Sequence, residues 1–328
     1  MSKHYPVTLS HLQHLADKTV AIIGYGNQGA AQAKNLRDSG VRTIIGLRPT
    51  GNTYLIAKDD GFEVYPIAEA VAQADLIVML MPDESIGQVF TDQVQPHVKT
   101  GATLGLAHGF AVHFETLTVP GHMNVVLMAP KGTGAGVRSQ YLAGTAVPFL
   151  LSVYQDATGT AEAVALAYLA GQGAHKSLVL GTTIKEETET DLFGEQAVLC
   201  GGMVNLMQAG FEVLVEAGYS PEAAYFECIH EMKLVIDLVN ARGIAGMNLA
   251  ISDTAEYGEY TSGNHIVPLT ETKARMHQVL AKIQDGSFAQ AFMKEHAADK
   301  PTLATRREQT RQHPMEKVGN QLRQHLFG

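Results

Sequence analysis

Short apolar runs alternate with amphipathic stretches along the first half of the chain, a rhythm that predicts strands alternating with helices. Residues 19–24 read as an apolar strand ending in glycine, residues 28–39 as a helix closed by Gly40, and residues 43–47 as a second strand. Further apolar runs at 76–81, 103–107, 125–129 and 147–153 end at Pro, His or polar residues, as strands of a parallel sheet do at its ligand edge. Beyond Thr182 the period changes. Across 189–218, 221–240 and 273–284 apolar residues recur at three and four, and strand-like runs become scarce. The pattern predicts an α/β fold: a Rossmann-like, doubly wound parallel sheet over residues 1–182, then an all-α domain over 183–328. The tail from Pro301 onward is polar and basic and reads as a solvated terminus.

Composition adds bounds rather than detail. A chain of 328 residues, 45% hydrophobic and 17% charged, can bury a large core in two domains. The net charge of −9 comes without charged blocks, which argues for solubility and against a nucleic-acid surface. No basic-plus-apolar leader is evident and no apolar run approaches the roughly 18 residues of a bilayer span, so a cytoplasmic protein without membrane partners is expected. Cys200 and Cys228 lie in apolar helical context without metal spacing, as buried thiols of a reducing compartment would.

Chemistry enters at Gly24-Tyr25-Gly26-Asn27-Gln28-Gly29, which follows an apolar strand and opens a helix. Gly24 permits the tight turn, Gly26 lets the backbone approach a pyrophosphate, Gly29 lets helix pack on strand, and the helix start offers unpaired N–H groups to phosphate. An NAD site usually has an acid about 20 residues further on, bonded to the ribose 2′-hydroxyl. Here residues 46–53 contain none. Arg48 and Thr53 suit a 2′-phosphate instead, which points to NADPH.

Two pairs of acids follow in the second half, Asp191/Glu195 and Glu227/Glu231. Positions four apart on a helix project from one face about 6 Å apart, so each pair offers two hard oxygen ligands to one small volume. Four such oxygens suit Mg²⁺ better than zinc. Like charges at this spacing repel, and the scarcity of nearby Lys or Arg argues for a cation between them. His108 and Lys131 each follow a strand at the ligand edge, where one can orient protons and the other can place positive charge beside a developing alkoxide. Ser252 precedes a helix and by itself reads as an N-cap.

Several blocks in order resemble the ketol-acid reductoisomerases (acetohydroxy-acid isomeroreductases) of the short class, over nearly the whole chain. They are Gly24-Tyr-Gly-Asn-Gln-Gly29, Leu80-Met-Pro-Asp-Glu84, Ala107-His-Gly-Phe110, Ala129-Pro-Lys-Gly132, Lys185 to Gln196, Phe226-Glu-Cys-Ile-His-Glu231 and Ile251-Ser-Asp-Thr-Ala-Glu-Tyr-Gly258. The resemblance implies that 2-acetolactate, or its ethyl homologue, undergoes an alkyl shift and then hydride transfer from NADPH, in valine, isoleucine and leucine synthesis. An alkyl shift needs the tertiary hydroxyl to lose its proton while the neighbouring ketone is polarised, and two Mg²⁺ ions supply both effects. It further implies Asp191 as bridging ligand, Glu195 on one ion, and Glu227 and Glu231 on the other, with His108, Lys131 and Glu195 as catalytic residues. Ser252 becomes a contact to the substrate carboxylate. Asp83, Glu84, Ser85, Ile86 and Gly134 join the fingerprint, Arg48, Gly51 and Thr53 as cofactor contacts. The chain departs from the family pattern at Ala30, where His is usual, at Gly51 and Thr53, where two serines are usual, and in Gly132-Thr-Gly-Ala-Gly136.

Helix arithmetic adds a constraint on assembly. If 189–218 and 221–240 form one antiparallel hairpin, the two acid pairs lie some 20 to 30 Å apart along its axis and cannot share a metal site. Either the first helix breaks at Gly201-Gly202 or Gly210, or the second pair comes from another subunit. An intertwined homodimer with a shared site, alone or within a higher assembly, is favoured, and a knotted helical domain is what the resemblance implies. A plain NADPH-dependent hydroxy-acid dehydrogenase or a cofactor-sensing regulator would share the first domain but would need neither the four acids nor Mg²⁺.

Overall fold

The computed structural model describes residues 3–327. Its strands are β1 (Val20–Ile23), β2 (Thr43–Gly46), β3 (Glu63–Tyr65), β4 (Leu76–Met79), β5 (Thr103–Leu106), β6 (Asn124–Pro130), β7 (Phe149–Gln155) and β8 (Val179–Gly181). They make one sheet in the order β3-β2-β1-β4-β5-β6-β7-β8. The first six follow the doubly wound dinucleotide-binding order. The interleaved helices are α1 (Asn27–Asp38), α2 (Asn52–Asp59), α3 (Ile67–Gln73), α4 (Asp83–Val89), α5 (Phe110–His113), α6 (Gly134–Leu142) and α7 (Ala161–Gly171).

The strands are apolar on both faces because helices cover both. Val20, Ile22, Leu76 and Val78 enter one core with Ala33 and Leu36 of α1, whereas Ala21, Ile23, Ile77 and Met79 enter another with Val71 of α3. Each fully buried Leu, Ile or Val here contributes roughly 1.5 to 3 kcal/mol. The chain reverses after β1, which pairs with β2 on one side and β4 on the other. Ligands of such sheets bind at that switch point.

Two features of the sheet differ from the sequence expectation. The edge strands β3 and β8 have three residues each, too few to show a period, and Glu63 faces solvent. β7 runs antiparallel to β6, with Phe149 opposite Pro130, so one pair of the sheet is not parallel. The connection between them, including α6, leaves and re-enters the sheet at the same edge.

The chain divides into two compact units, Met1–Thr190 and Asp191–Gly328. The division falls inside α8 (Ile184–Gly194), which continues through an i→i+5 turn at Glu195–Leu199 into α9 (Gly201–Glu216). The second unit adds α10 (Pro221–Tyr225), another i→i+5 turn at Phe226–His230, α11 (Met232–Asn248), α12 (Asp253–Ile266), α13 (Leu269–Gln284), α14 (Ser287–Ala297), α15 (Pro301–Gln312) and α16 (Pro314–Phe327). The basic tail is therefore helical. Met315, Val318 and Leu322 of α16 pack with Phe211 and Tyr225, and Arg323 donates to the Tyr225 hydroxyl at 2.7 Å. The cysteines also depart from expectation. Cys200 is exposed and Cys228 half-buried, because this unit buries few of its apolar side chains within one chain. The unbroken helix Ile184–Glu216 carries an 18-residue window of mean hydropathy 1.5, which does reach the length and apolarity of a bilayer span.

Candidate active site

The fingerprint lies where β1 meets α1. Gly24 has φ +102°, and a side chain there would meet the Leu80 carbonyl at 2.4 Å. A Cβ on Gly29 would stand 2.3 Å from the Gly24 carbonyl, so only glycine lets α1 approach so closely. Gly26 is exposed, has no described atom within 4 Å of an added Cβ, and forms the start of α1, which no described side chain caps. These open N–H groups and the bare backbone form a cradle that fits a pyrophosphate. Asn27 and Gln28 occupy the first turn of α1. Tyr25 turns inward: its hydroxyl donates to Asp60 at 2.8 Å and its ring packs edge-on against Phe62. Burial pushes that hydroxyl well above the ordinary phenol range, with the Asp60 carboxylate adding to the effect.

Other helix starts share this sheet edge. Arg48 is exposed in the turn after β2, and Gly51 opens α2, with Thr53 in its first turn and no described side chain as cap. Pro82 precedes α4, in which Glu84 and Ile86 are buried while Asp83 and Ser85 are half-buried. Gly134 begins α6 behind Thr133, whose Oγ1 accepts from the Gly136 amide at 3.2 Å.

His108 follows β5 and Lys131 follows β6, and both converge on a residue that the sequence reading did not single out, Glu187 of α8. Lys131 Nζ lies 3.0 Å from Glu187 Oε1. His108 Nδ1 lies 3.1 Å from Oε2, to which the Gly109 amide also donates at 3.1 Å. Gly109 permits this, since a Cβ there would stand 2.2 Å from Thr188 Oγ1 on α8. Thr183 fixes the start of the helix by accepting from the Glu186 amide at 3.0 Å. The Glu187 side chain is only 1% exposed. Burial alone raises its carboxyl, but the hydrogen bond and charge of His108, with the charge of Lys131, outweigh burial and hold it below the usual carboxylate range. Along the same face of α8, Asp191 follows one turn later, within 4.8 Å of Glu187 by their carboxylate oxygens. The sequence signal for Glu187 was the series 187, 191, 195 at helical spacing, of which only the last two had been paired.

Asp191 is half-buried, and Glu195, Glu227 and Glu231 are exposed. Glu195 opens the first i→i+5 turn (Cys200 N to Glu195 O, 3.0 Å). Glu227 and Glu231 sit at the second (Glu231 N to Phe226 O, 3.0 Å). Such widened turns recur at functional sites. Their all-oxygen donor set suits Mg²⁺. The helix does not break at Gly201, Gly202 or Gly210. Cys228 packs against Gly210, whose added Cβ would lie 3.0 Å from its sulfur. Glu227 and Glu231 therefore stand near a position roughly 22 Å along the helix from Glu195. Within one chain the two pairs are apart. Ser252 caps α12, its Oγ accepting from the Ala255 amide at 3.2 Å, which leaves the exposed hydroxyl proton available to a ligand.

Two family models cover almost all of this architecture. Residues 14–177 match the acetohydroxy acid isomeroreductase NADPH-binding domain, and residues 184–327 match the ketol-acid reductoisomerase C-terminal domain. The chain belongs to the ketol-acid reductoisomerase family. As a reductoisomerase it is an oxidoreductase with isomerase activity that uses a nicotinamide cofactor. Among solved structures it is similar to an NADH-preferring ketol-acid reductoisomerase from an uncultured archean, at 43% identity and a TM-score of 0.93, over 95% of this chain and 96% of that one. An oxidoreductase from Jannaschia sp. CCS1 matches at 16% identity and a TM-score of 0.61, over 82% of this chain and 97% of that one. A semialdehyde dehydrogenase NAD-binding protein from Cupriavidus necator matches at 18% and 0.57, over 80% and 99%. The last two share the fold alone.

Proposed function

We propose that this reductoisomerase converts 2-acetolactate, or its ethyl homologue, to the 2,3-dihydroxy-3-methyl acid in valine, isoleucine and leucine synthesis. It acts in the cytoplasm, with NADPH and two Mg²⁺ held by Asp191, Glu195, Glu227 and Glu231. The observation that carries this reading is Glu187, which gathers Lys131 and His108 at the sheet edge one helical turn before Asp191. Bound NADPH supplies a hydride, and bound Mg²⁺ supplies Lewis acidity toward the substrate's oxygens. The protein's own groups do the rest. Lys131, held in place by the Glu187 carboxylate, offers a cation to the oxygen from which the tertiary proton departs. His108, whose Nδ1 is fixed on Glu187, is aimed to pass or receive a proton at its other nitrogen. Ser252 donates to the substrate carboxylate. As the alkyl group moves from C2 to C3, C2–O becomes a ketone and the former ketone oxygen takes up a proton to become a hydroxyl, which leaves C2 as the carbon that a nicotinamide cofactor would reduce. The test is the identity of the diol, because direct reduction without migration gives the 2-methyl isomer.

The register of the helices supports an assembly of two copies. With Glu227 and Glu231 far along the helix from Glu195, a complete set of four acids requires a second copy, which supplies one pair to the other's site. Leu199, Val213, Leu234, Ile244, Leu249 and Leu269 are each more than half exposed in one chain. That apolar surface suits an intertwined homodimer.

Preference for NADPH rests on the loop after β2, which offers Arg48 and the open start of α2 but no acid. A charge-assisted bond to a 2′-phosphate contributes about 1.5 to 3 kcal/mol, so Arg48→Ala should lower kcat/KM for NADPH by roughly tenfold to a hundredfold and leave NADH nearly unchanged. Equal losses with both cofactors in steady-state assays would remove Arg48 from this role.

A further inference from the structure

Beneath the fingerprint helix, a chain of side chains runs from the core to the loop that carries Lys131. Its inner end is Tyr168 of α7, fully buried, whose hydroxyl donates to Gln32 Oε1 at 2.6 Å. Gln32, also fully buried, donates from Nε2 to Gln28 Oε1 at 2.9 Å. Gln28, half-buried in the first turn of α1, donates to the carbonyl of Gly132 at 3.0 Å. Gly132 is the residue after Lys131.

The chain can run in only one direction. The Gly132 carbonyl can only accept, so Gln28 must turn its NH₂ toward it and its own carbonyl toward Gln32. Gln32 must then donate at Nε2 and accept at Oε1, and Tyr168 must donate. Reversing any one amide sets donor against donor or acceptor against acceptor. Burial pushes the Tyr168 hydroxyl far up, so its proton stays in place at any working pH. Gln172 Nε2 meanwhile donates to the Gln32 backbone carbonyl at 3.0 Å, tying α7 to α1 at the same level. At the outer end, an unrestrained Gln28 amide would flip and exchange with water. Here its orientation is set from within.

The seam that this latch closes is tight. A Cβ on Gly134 would stand 2.2 Å from the Asn27 carbonyl, and Arg138 of α6 donates to Asn35 Oδ1 at 2.9 Å and to Asp38 Oδ2 at 2.6 Å. Among these ties the Gln28 bond lies nearest in sequence to Lys131.

We propose that Gln32 and Gln28 are positioning residues for Lys131: the buried Tyr168 hydroxyl sets Gln32, Gln32 sets Gln28, and Gln28 holds the Lys131-Gly132 loop in register with the dinucleotide fingerprint. This inference rests on the role proposed for Lys131. The variant Gln32→Leu with Tyr168→Phe removes both partners of the buried bond and leaves apolar groups of similar shape, an exchange that folds tolerate. The full-length variant should lose about tenfold in kcat with 2-acetolactate, NADPH and Mg²⁺, while the KM for NADPH stays within about twofold. Amide hydrogen exchange over residues 131–134 should quicken. A purely structural network would lower thermal stability and the active fraction, and would leave turnover per active site and loop exchange as they are. That result would overturn the proposal. If the double variant does not fold, Tyr168→Phe alone removes only the inner donor and should show the same pattern, with a fall of about threefold. Lys131→Met separates the two ideas. Full activity in Lys131→Met defeats the reading of Lys131 itself, whereas an inactive Lys131→Met beside a fully active double variant defeats the latch alone.

Discussion

Glu187→Gln is expected to lower kcat by roughly a hundredfold to a thousandfold while changing the KM for NADPH little. The carboxylate accepts from the Gly109 amide, faces His108 Nδ1 at 3.1 Å and pairs with Lys131 at 3.0 Å. Glutamine offers one oxygen where two are in use, sets an NH₂ against a donor, and removes the negative charge that aims Lys131. The folded carboxyl sits below its ordinary value of 4.5, so its contribution is fully present above that value and is lost only as the pH falls through the lower, folded pKa. The carboxylate is therefore ionised throughout the neutral range, where the defect should be read. Steady-state kinetics decide it: a kcat within about threefold of the parent would show that the Glu187 cluster is structural.

Much of the first unit is legible in the sequence because its forces are local. Strand β1, the glycines at 24, 26 and 29, and helix α1 occupy adjacent residues: Gly24 answers a neighbouring strand end, Gly29 a carbonyl five residues before it, and Gly26 leaves the backbone open at the helix start. What escapes is non-local. Glu187 looks like one of several acids in a solvated first turn, and only the approach of β5 and β6 to α8 buries it. The antiparallel direction of β7 depends on where α6 docks, which an apolar run cannot record. The i→i+5 turns at Glu195 and Phe226 leave the apolar period almost intact, and so pass as plain α-helix. The exposure of Cys200 and of apolar residues such as Val213 cannot be read from composition, since an apolar helix face looks the same whether it is covered from within its own chain or from a second copy.

Asp191→Asn and Glu227→Gln should each abolish activity as homodimers, yet restore it together. If one subunit supplies Asp191 and the other Glu227, a heterodimer of the two variants holds one doubly damaged site and one intact site. An equal, randomly assorted mixture then contains about one intact site in four. The expected recovery is large against an inactive background, and co-expression with two affinity tags allows the heterodimer to be isolated. If the purified heterodimer is as inactive as its parents, the site is not shared between subunits, and the second pair of acids has another purpose.

Metal-dependent migration followed by reduction can be followed by product analysis of 2-acetolactate with NADPH, with Mg²⁺ present and after its removal by a chelator. The expected product is 2,3-dihydroxy-3-methylbutanoate with Mg²⁺, and neither diol nor NADPH oxidation without it. Formation of the unrearranged 2-methyl diol, or NADPH oxidation that survives chelation, would contradict it.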